Sequence, residues 1–539
     1  MNRIRYSKPP LQVFRGEKIM ASYHNEISIY SGNPLIEALP PIFTEEEVIE
    51  KLQFFPLFSE EERNLPTHLR LHLIQNVLQF FTPLPPHIEL EQRFSRMIRV
   101  GYIARNPIQQ GFWKEIHSRV KTLGSTKLSS RNLRSTATGF TILGISGVGK
   151  STAVQEILSL YPQVIHHNFY KNSLHLPNTQ LVWLKLECPA DGSVKGLCLN
   201  FFQAVDDILE TQYYEIYGGR GRRTVNEMMP YVALVASNVH LGVLVIDEIQ
   251  CLTKLNVGGY EKILDFFVQL INTIGLPVVL VGTYKAWSIL GSEFRSIRRG
   301  TGQGDFIWDR MKEDEDWQLF IQSLWQYQYV RNPCKITPQI SHSLYYECQG
   351  ITDFAVKVFM LAQARAITTG KEEITTAVIK SVARDCLRTA TSVLDALKQG
   401  NIKQMQSYED VHPIDIEPFI EEELRGINFE YSIEVNNRKV HTNSNISISQ
   451  KQDTKPQNNL HYSVEKEVCI QNQNLDSSFE SNTGNSSIFE SQNIKNSTCL
   501  LPEIVANGKK NGISAYQTLR EAGYICTDKE TIFRQDVVI

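Results

Sequence analysis

The segment that most restricts how this chain can fold is Gly144-Ile145-Ser146-Gly147-Val148-Gly149-Lys150-Ser151, which has the spacing G-x-x-x-x-G-K-S. An apolar run, Phe140 to Leu143, precedes it, and a helical pattern, Thr152 to Leu160, follows it. Glycines at these positions let backbone N–H groups turn inward, and the N-terminus of the next helix favours a bound anion. The sequence therefore predicts a phosphate-binding loop (P-loop) between a buried strand and a helix.

The residue types in this loop predict a nucleotide site that binds ATP and Mg²⁺. Lys150 is placed to reach the β- and γ-phosphates, and the Ser151 hydroxyl to ligate the metal. The alternative is a glycine-rich strand-to-helix turn that binds no nucleotide. The other predicted nucleotide-binding residues are Gly144, Ser146, Gly147, Val148, Gly149 and Thr152.

A second apolar run, Leu241 to Ile246, ends in Asp247-Glu248. Asp247 is expected beside Mg²⁺, and Glu248 is expected to polarise the attacking water, which favours hydrolysis over phosphate transfer to a metabolite. Acidic residues commonly follow strands, so the pair is a weak signal alone. Together with Lys150 it becomes a strong one.

The next apolar run, Pro277 to Val281, ends in Gly282-Thr283. Thr283 is predicted to act as the sensor of an AAA+ ATPase, which contacts the γ-phosphate or the water; the alternative is a helix N-cap. Three arginines then follow within five residues, and in a ring ATPase one of them would reach the nucleotide of the neighbouring subunit. A solvated basic turn is the alternative. The three are Arg295, Arg298 and Arg299.

Composition divides the 539 residues into six regions. The apolar runs alternate with helix-length segments, which is typical of a parallel sheet with helices on both faces. In residues 441–500, 27 of 60 residues are Asn, Gln or Ser, too polar to support a packed core. The predicted regions are an N-terminal helical domain (1–134), an ATPase core (135–310), a helical lid (311–400), an acidic connector (401–440), a disordered linker (441–500) and a C-terminal docking peptide (501–539), whose alternative is a frayed terminus.

The overall charge and the cysteines exclude several classes of protein. With 55 Lys+Arg against 58 Asp+Glu, no global basic field marks a nucleic-acid coat protein, so any contact with nucleic acid must be local. The nine cysteines are scattered without C-x-x-C pairs, which favours neither a zinc ribbon nor a disulfide framework. No run approaches the roughly 20 apolar residues needed to cross a bilayer. We therefore expect a cytoplasmic protein with no membrane partner.

Taken together, these motifs resemble TnsC, the AAA+ regulator of cut-and-paste transposons, and more distantly TniB and MuB. The resemblance runs from about Gly101 to Leu397. The P-loop and Asp-Glu alone would indicate only an ATPase, whereas the stretches 191–198 and 351–357 make the match more specific. The residues that carry it are the P-loop, Leu244 to Gln250 with Gly258-Gly259, Phe266-Phe267, Val281-Gly282-Thr283, Phe294 to Gly302, Asp191 to Cys198 and Ile351 to Lys357.

The resemblance implies an AAA+ P-loop ATPase of α/β class, with a parallel five-stranded sheet, a helical lid, a mainly helical N-terminal domain and a disordered C-terminal tail. It also implies assembly into a ring or filament around double-stranded DNA. The implied partners are a targeting factor of the TniQ/TnsD type and the transposase subunits TnsA and TnsB. Lys357 matches the second sensor position, where a cation reads the γ-phosphate; the alternative is a lysine on a solvated helix face.

DNA contact is predicted from two basic segments. Lys195 follows the second strand, where this family places a DNA-facing loop, and a glycine-interrupted loop carries Arg220, Arg222 and Arg223. Few cations per subunit would sum to a large field around a ring, and the contact would be to the DNA backbone. The alternative is an ordinary surface loop.

Two functions of different classes remain open from sequence. In the first, the protein is an ATP-dependent switch that assembles on DNA with Mg-ATP and disassembles on hydrolysis. In the second, it is an interaction scaffold whose nucleotide is structural and whose tail, residues 401–539, recruits partners. A clamp-loader-like motor is disfavoured because no helicase or nuclease motif accompanies the core.

Overall fold

The computed structural model describes most of the first 400 residues and a short segment beyond them, all within one compact unit. The described residues are 11–24, 27–122, 136–219, 223–254, 257–288, 290, 304–400 and 416–424. Several predicted features lie outside them and stay predictions: Arg220, Arg222, Arg295, Arg298, Arg299, the linker 441–500 and the docking peptide 501–539.

The strands form two sheets, one of five strands and one of three. The five-stranded sheet has the order β5-β6-β7-β2-β8, and every pairing in it is parallel. This confirms the predicted parallel five-stranded sheet. The described strands are β1 (Lys18–Met20), β2 (Gly139–Gly144), β3 (Val164–Tyr170), β4 (Leu174–Leu181), β5 (Trp183–Glu187), β6 (Val243–Asp247), β7 (Val278–Gly282) and β8 (Asp305–Trp308).

Both faces of the five-stranded sheet are buried. Successive side chains of a strand point to opposite faces, and in β6 Val243 and Val245 belong to one apolar core while Leu244 and Ile246 belong to another. This double burial explains why the strands are continuous apolar runs in the sequence instead of alternating ones.

The three-stranded sheet was not predicted. It has the order β1-β3-β4, in which β1 pairs in parallel with β3, and β3 and β4 form an antiparallel pair. The apolar stretch from Leu181 to Leu186, which has the sequence pattern of one strand, is divided between two strands, because β4 ends at Leu181 and β5 begins at Trp183. Polar residues such as His166 and His167 hid β3 from a search for apolar runs.

The helices precede, surround and follow the central sheet. Among the described helices, none combines the length and the apolar character that crossing a membrane requires. They are α1 (Pro34–Glu37), α2 (Glu45–Leu52), α3 (Thr67–Leu73), α4 (Pro85–Ile103), α5 (Phe112–Thr122), α6 (Lys150–Ser159), α7 (Val194–Leu209), α8 (Tyr213–Tyr217), α9 (Val225–Asn238), α10 (Val257–Gln269), α11 (Glu315–Leu324), α12 (Pro338–Cys348), α13 (Thr352–Thr368), α14 (Thr376–Cys386) and α15 (Thr391–Lys398).

One part of the N-terminal region is attached to the ATPase core. The Tyr102 hydroxyl at the end of α4 donates to the His240 carbonyl at 2.7 Å, and the Arg105 guanidinium donates to the Leu241 carbonyl at 2.6 Å. Burial lowers the pKa of Arg105 to about 10, which leaves it charged at neutral pH. These bonds fix α4 to the segment that enters β6.

Another part of the N-terminal region is attached to the lid. Arg70 in α3 is fully buried and donates to both carboxylate oxygens of Glu372, at 2.6 and 2.7 Å. Glu372 lies between α13 and α14 and also accepts from the Arg331 backbone N–H at 3.1 Å. The N-terminal region therefore contacts the core through α4 and the lid through α3.

Replacing Arg70 by leucine should lower the free energy of unfolding by about 3–5 kcal/mol, because the Glu372 carboxylate would keep its charge without its buried partner. Burial raises the pKa of Glu372, but hydrogen bonds and charge from Arg70 and Arg331 outweigh it and lower the pKa overall. The stabilisation is therefore complete above the unfolded-state pKa of about 4.3 and is lost as pH falls through the lower folded-state value.

Urea denaturation of the full chain at pH 7 and at pH 3 would measure this effect. The control is the double variant Arg70→Leu/Glu372→Leu, which removes both charges. It should lower the free energy of unfolding by less than Arg70→Leu alone does. If the two variants lowered the free energy of unfolding equally, that would contradict the assigned charge pairing.

The predicted acidic connector contains a helix at 416–424 that packs against the lid. Phe419 and Ile420 are buried, and the Glu423 carboxylate accepts from Arg365 at 2.8 Å and from the Thr368 hydroxyl at 2.8 Å. The lid contacts therefore continue past residue 400, where composition placed their end.

Candidate nucleotide site

The predicted catalytic residues that the structure describes, Lys150, Glu248 and Thr283, lie at one edge of the five-stranded sheet. Strands β6, β7 and β2 are consecutive neighbours and run parallel, so their C-terminal ends lie side by side. Asp247 ends β6, Thr283 follows β7, and Gly144 ends β2 and opens the P-loop. Ligands of open α/β sheets bind at this edge.

The P-loop has the backbone that its glycines predict. Gly147 and Gly149 have φ angles of 85° and 91°, in the left-handed region that favours glycine. Lys150, which begins α6, is buried, and its ammonium donates to the carbonyls of Ile145 at 2.7 Å and Gly144 at 3.1 Å. The loop therefore curves around the ammonium group, where phosphate oxygens would be its natural partners.

Asp247 has a buried counter-charge that the sequence analysis missed. Its Oδ2 lies 2.9 Å from the ammonium of Lys185, on the neighbouring strand β5, and both side chains are at most 4% exposed. The other oxygen, Oδ1, accepts from the Glu248 backbone N–H at 2.9 Å. A buried carboxylate needs such partners, and the parallel pairing of β5 with β6 supplies them.

Glu248 adopts an unusual backbone conformation. Its φ is 57°, in the left-handed region, which costs a residue other than glycine about 1–3 kcal/mol. Its carboxylate Oε2 accepts from the Gln250 amide at 2.5 Å. Strain of this kind is concentrated at functional sites, which agrees with the predicted catalytic role.

Thr283 carries a buried hydroxyl at the tip of β7. Among the described side chains, its Oγ1 is one of few buried oxygens without a hydrogen-bond partner. The hydroxyl therefore makes no helix-capping bond, which was the alternative interpretation of this residue. An unpaired buried hydroxyl at a strand tip suits a phosphate or water contact.

Lys357 lies in α13, one turn after the point where the lid touches the P-loop. The Asp353 backbone N–H donates to the Gly147 carbonyl at 3.1 Å, and Asp353 Oδ2 lies 2.8 Å from the Lys357 ammonium. A Cβ on Gly147 would come within 3.0 Å of Ile351. The lid is thus packed on the loop, with Lys357 held by an ion pair next to it; its role as a second sensor stays a prediction.

A cleft of about 450 Å³ opens beside the P-loop, between the N-terminal region, the end of β8 and the lid. Its size suits a small-molecule ligand. Most residues that line this cleft could not be predicted from the sequence, although the proline-rich run at Thr82 to Pro86 forms part of one wall. Lining residues include Thr152, Phe81, His87, Trp308, Arg310 and Val356.

His87 lines this cleft and is uncharged at neutral pH. Burial lowers its pKa to about 4, and its Nδ1 accepts a hydrogen bond from the backbone N–H of Leu84 at 3.0 Å, as the uncharged ring can. Its ring packs edge-on against Phe81 and Trp308, with centroids 5.0 Å apart in each pair. An aromatic wall of this kind can pack against a planar heterocycle.

The described part of the predicted DNA contact lies at one end of α7. Lys195 is the second residue of α7, and Leu199 follows it by one helical turn. A Cβ on Gly218 would lie 2.9 Å from the Leu199 side chain. The basic loop therefore begins near Lys195. Arg223 lies over the Tyr231 ring, 4.8 Å from its centroid, and donates to the Tyr217 carbonyl at 3.3 Å.

The described elements form an AAA+ P-loop ATPase fold. They are a parallel five-stranded sheet, a P-loop at the end of β2, an acidic pair at the end of β6 and a helical lid packed on the loop. Residues 133–290 match the family model described as an AAA domain, which supports a nucleotide-hydrolysing ATPase in general. No curated protein matches the chain in sequence.

Several solved structures are distantly similar to this chain. The Aeropyrum pernix ORC1 protein in complex with DNA has 13% sequence identity and a TM-score of 0.33, over 55% of this chain and 72% of that one. The RuvB Holliday junction branch migration motor of Thermotoga maritima has 15% identity and a TM-score of 0.27, over 59% and 91%. Drosophila ORC bound to DNA has 10% identity and a TM-score of 0.29, over 53% and 69%. These superpositions are loose, so the fold assignment rests on the topology and the P-loop.

Proposed function

We propose that this protein hydrolyses ATP and uses the cycle of binding and hydrolysis to assemble on double-stranded DNA and leave it. The observation that carries the proposal is the convergence of the P-loop, Asp247, Glu248 and Thr283 at one edge of the sheet. A structural nucleotide could use Asp247 for its metal but would not need a second carboxylate, Glu248, to act as a base, and this favours the switch over the scaffold.

Each residue of the site has a distinct part in this proposal. Lys150 and the inward-facing N–H groups of the P-loop hold the phosphates, and the Thr283 hydroxyl supplies a hydrogen bond at the strand tip. Glu248 accepts a proton from the attacking water. The aromatic and apolar walls around His87 take the adenine base.

The oxygen donors also fit Mg²⁺, which prefers hard ligands. The Ser151 hydroxyl and the Asp247 carboxylate would hold it, and it would neutralise charge on the phosphates. Lys185 limits the charge that Asp247 presents when no metal is bound. Lys357 and one of Arg295, Arg298 and Arg299 would add positive charge, the arginine from a neighbouring subunit.

The proposal extends to DNA transposition through the resemblance to TnsC. By that resemblance the ATP-bound protein forms a ring or filament on target DNA and couples a TniQ/TnsD-type targeting factor to the transposase subunits TnsA and TnsB. The uneven charge supports DNA binding: residues 401–539 hold 13 Lys+Arg and 20 Asp+Glu, so the rest of the chain is mildly basic despite the total of −3.

Fluorescence anisotropy with labelled duplex DNA tests this function. Affinity should rise when ATP is added, and electron microscopy should find oligomers on the DNA. Equal binding with and without ATP would rule out the switch. A transposition assay with TnsA, TnsB and the targeting factor would then test the regulatory role.

Lys195→Ala should weaken DNA binding about 3- to 10-fold and should lower the slope of log affinity against log salt by about one per lost contact. The control is Lys371→Ala, which removes an exposed lysine of the lid. If Lys195→Ala and Lys371→Ala bound DNA equally well, Lys195 would be an ordinary surface residue.

A further inference from the structure

Gln250 joins two parts of the candidate site that are 33 residues apart in the chain. It lies in the short turn Ile249–Lys254 after β6 and is 3% exposed. Its Nε2 donates to Glu248 Oε2 at 2.5 Å, and its Oε1 accepts from the Thr283 backbone N–H at 3.1 Å. The side-chain carboxamide of Gln250 therefore bridges the Glu248 carboxylate and the tip of β7.

Only one orientation of this carboxamide satisfies both neighbours. The Thr283 backbone N–H is a donor and cannot accept, so it must face Oε1 of Gln250. The amide N–H groups then necessarily face Glu248, whose ionised carboxylate can only accept. Rotating the carboxamide by half a turn would oppose donor to donor and acceptor to acceptor. The bridge thus has a fixed direction, from the β7 tip to Glu248.

The space for this bridge exists because β7 ends in glycine. A Cβ on Gly282 would lie 2.6 Å from Ile249 Cγ2 and 2.8 Å from Gln250 Oε1. Both distances are shorter than van der Waals contact, so any larger residue would displace the turn that carries Gln250. Thr283, whose hydroxyl is buried without a partner, follows immediately. The close approach of the turn to β7 therefore places the bridge next to a buried hydroxyl that has no hydrogen-bond partner among the described residues.

We propose that Gln250 is a positioning residue that couples the tip of β7 to Glu248. By donating to Oε2, the Gln250 amide orients the plane of the Glu248 carboxylate. A contact made by Thr283 moves the backbone N–H that holds Gln250 and so changes the orientation of Glu248. The inference rests on the proposed ATP hydrolysis.

Gln250→Leu keeps a similar volume and removes both hydrogen bonds. It should lower kcat for ATP hydrolysis roughly 10- to 100-fold, because a misplaced base loses part of its contribution, while KM and the Kd for ATP stay within about twofold. Gln250→Glu keeps an acceptor for Thr283 but offers Glu248 no N–H donor. It should lower kcat as well, which would assign the effect to the Glu248 end of the bridge.

A double-mutant cycle separates positioning from a general loss of structure. In the Glu248→Gln background, Gln250→Leu should change the residual kcat by less than about twofold, since its target is already gone. The matched control is Gln363→Leu in the lid. Gln363 is likewise buried and its carboxamide likewise bridges two groups, here both of the backbone: it accepts from the Tyr329 N–H at 2.8 Å and donates to the Tyr327 carbonyl at 3.0 Å.

The outcomes are distinguishable. Wild-type protein that binds ATP and does not hydrolyse it contradicts the proposed function. Wild-type turnover with an unchanged or increased kcat in both Gln250 variants contradicts only the coupling. Multiplicative effects of Gln250→Leu and Glu248→Gln would likewise overturn it. If Gln250→Leu fails to fold, the isosteric Gln250→Glu variant in the same cycle gives the answer.

Discussion

Glu248→Gln should lower the rate of ATP hydrolysis roughly 100- to 1,000-fold and leave ATP affinity within about twofold, because the amide keeps the shape of the side chain but cannot accept the proton. The variant should also hold the protein on DNA as an ATP-bound oligomer, since disassembly depends on hydrolysis. Single-turnover phosphate release and equilibrium binding of a fluorescent ATP analogue measure the two quantities separately.

Glu187→Gln is the matched control for this variant. Glu187 ends β5, directly opposite Asp247 in the parallel pairing, and its side chain is exposed. It shares the charge and the sheet edge with Glu248 and lacks the contact with Gln250. Similar losses of turnover in the two variants would mean that the local charge matters and that no single carboxylate acts as the base.

Lys150→Met should weaken ATP binding by about 3 kcal/mol, or roughly 100-fold in Kd, because it removes the charge-assisted bonds to the phosphates. Lys150 is 7% exposed and its ammonium donates to the carbonyls of Gly144 and Ile145. Methionine is of similar length, so it occupies the same space and removes the charge without adding another. Calorimetric titration with ATP measures the change, and DNA assembly should be lost with it.

The control for this second variant is Lys380→Met, which replaces an exposed lysine of α14. It should bind ATP as the wild type does. Retention of full ATP affinity by Lys150→Met would place the nucleotide elsewhere and would remove the basis for the other predictions about this site. Thermal melting without nucleotide would exclude unfolding as the cause of a loss.

The central sheet and the strand-end residues could be predicted because short segments encode them. Strands β2, β6 and β7 are apolar runs, and predicted site residues come at or just after the end of each, as Asp247 and Thr283 do. Parallel strands bring their C-terminal ends together without further information. The P-loop needs only its own eight residues to define its shape.

The contacts that could not be predicted join distant parts of the chain. Arg70 and Glu372 are 302 residues apart in the chain. His87, in the cleft wall, packs against Trp308 at the end of β8, which is also distant in the chain. Neither side of such a pair carries a local pattern. Lys185 was hidden for a related reason: within an apolar strand a single lysine gives no sign that its partner is Asp247 on the next strand.

The helix at 416–424 sets a practical limit for shortened versions of this protein. A chain ended at residue 400 would uncover the apolar surface beneath Phe419 and Ile420. It would also remove the Glu423 carboxylate from Arg365, which would keep its ion pair with Asp385. Loss of activity on such a cut would then report damage to the lid. Removal of the tail for expression, crystallisation or partner-binding assays should therefore begin after residue 424, so that the ATPase unit keeps its full surface.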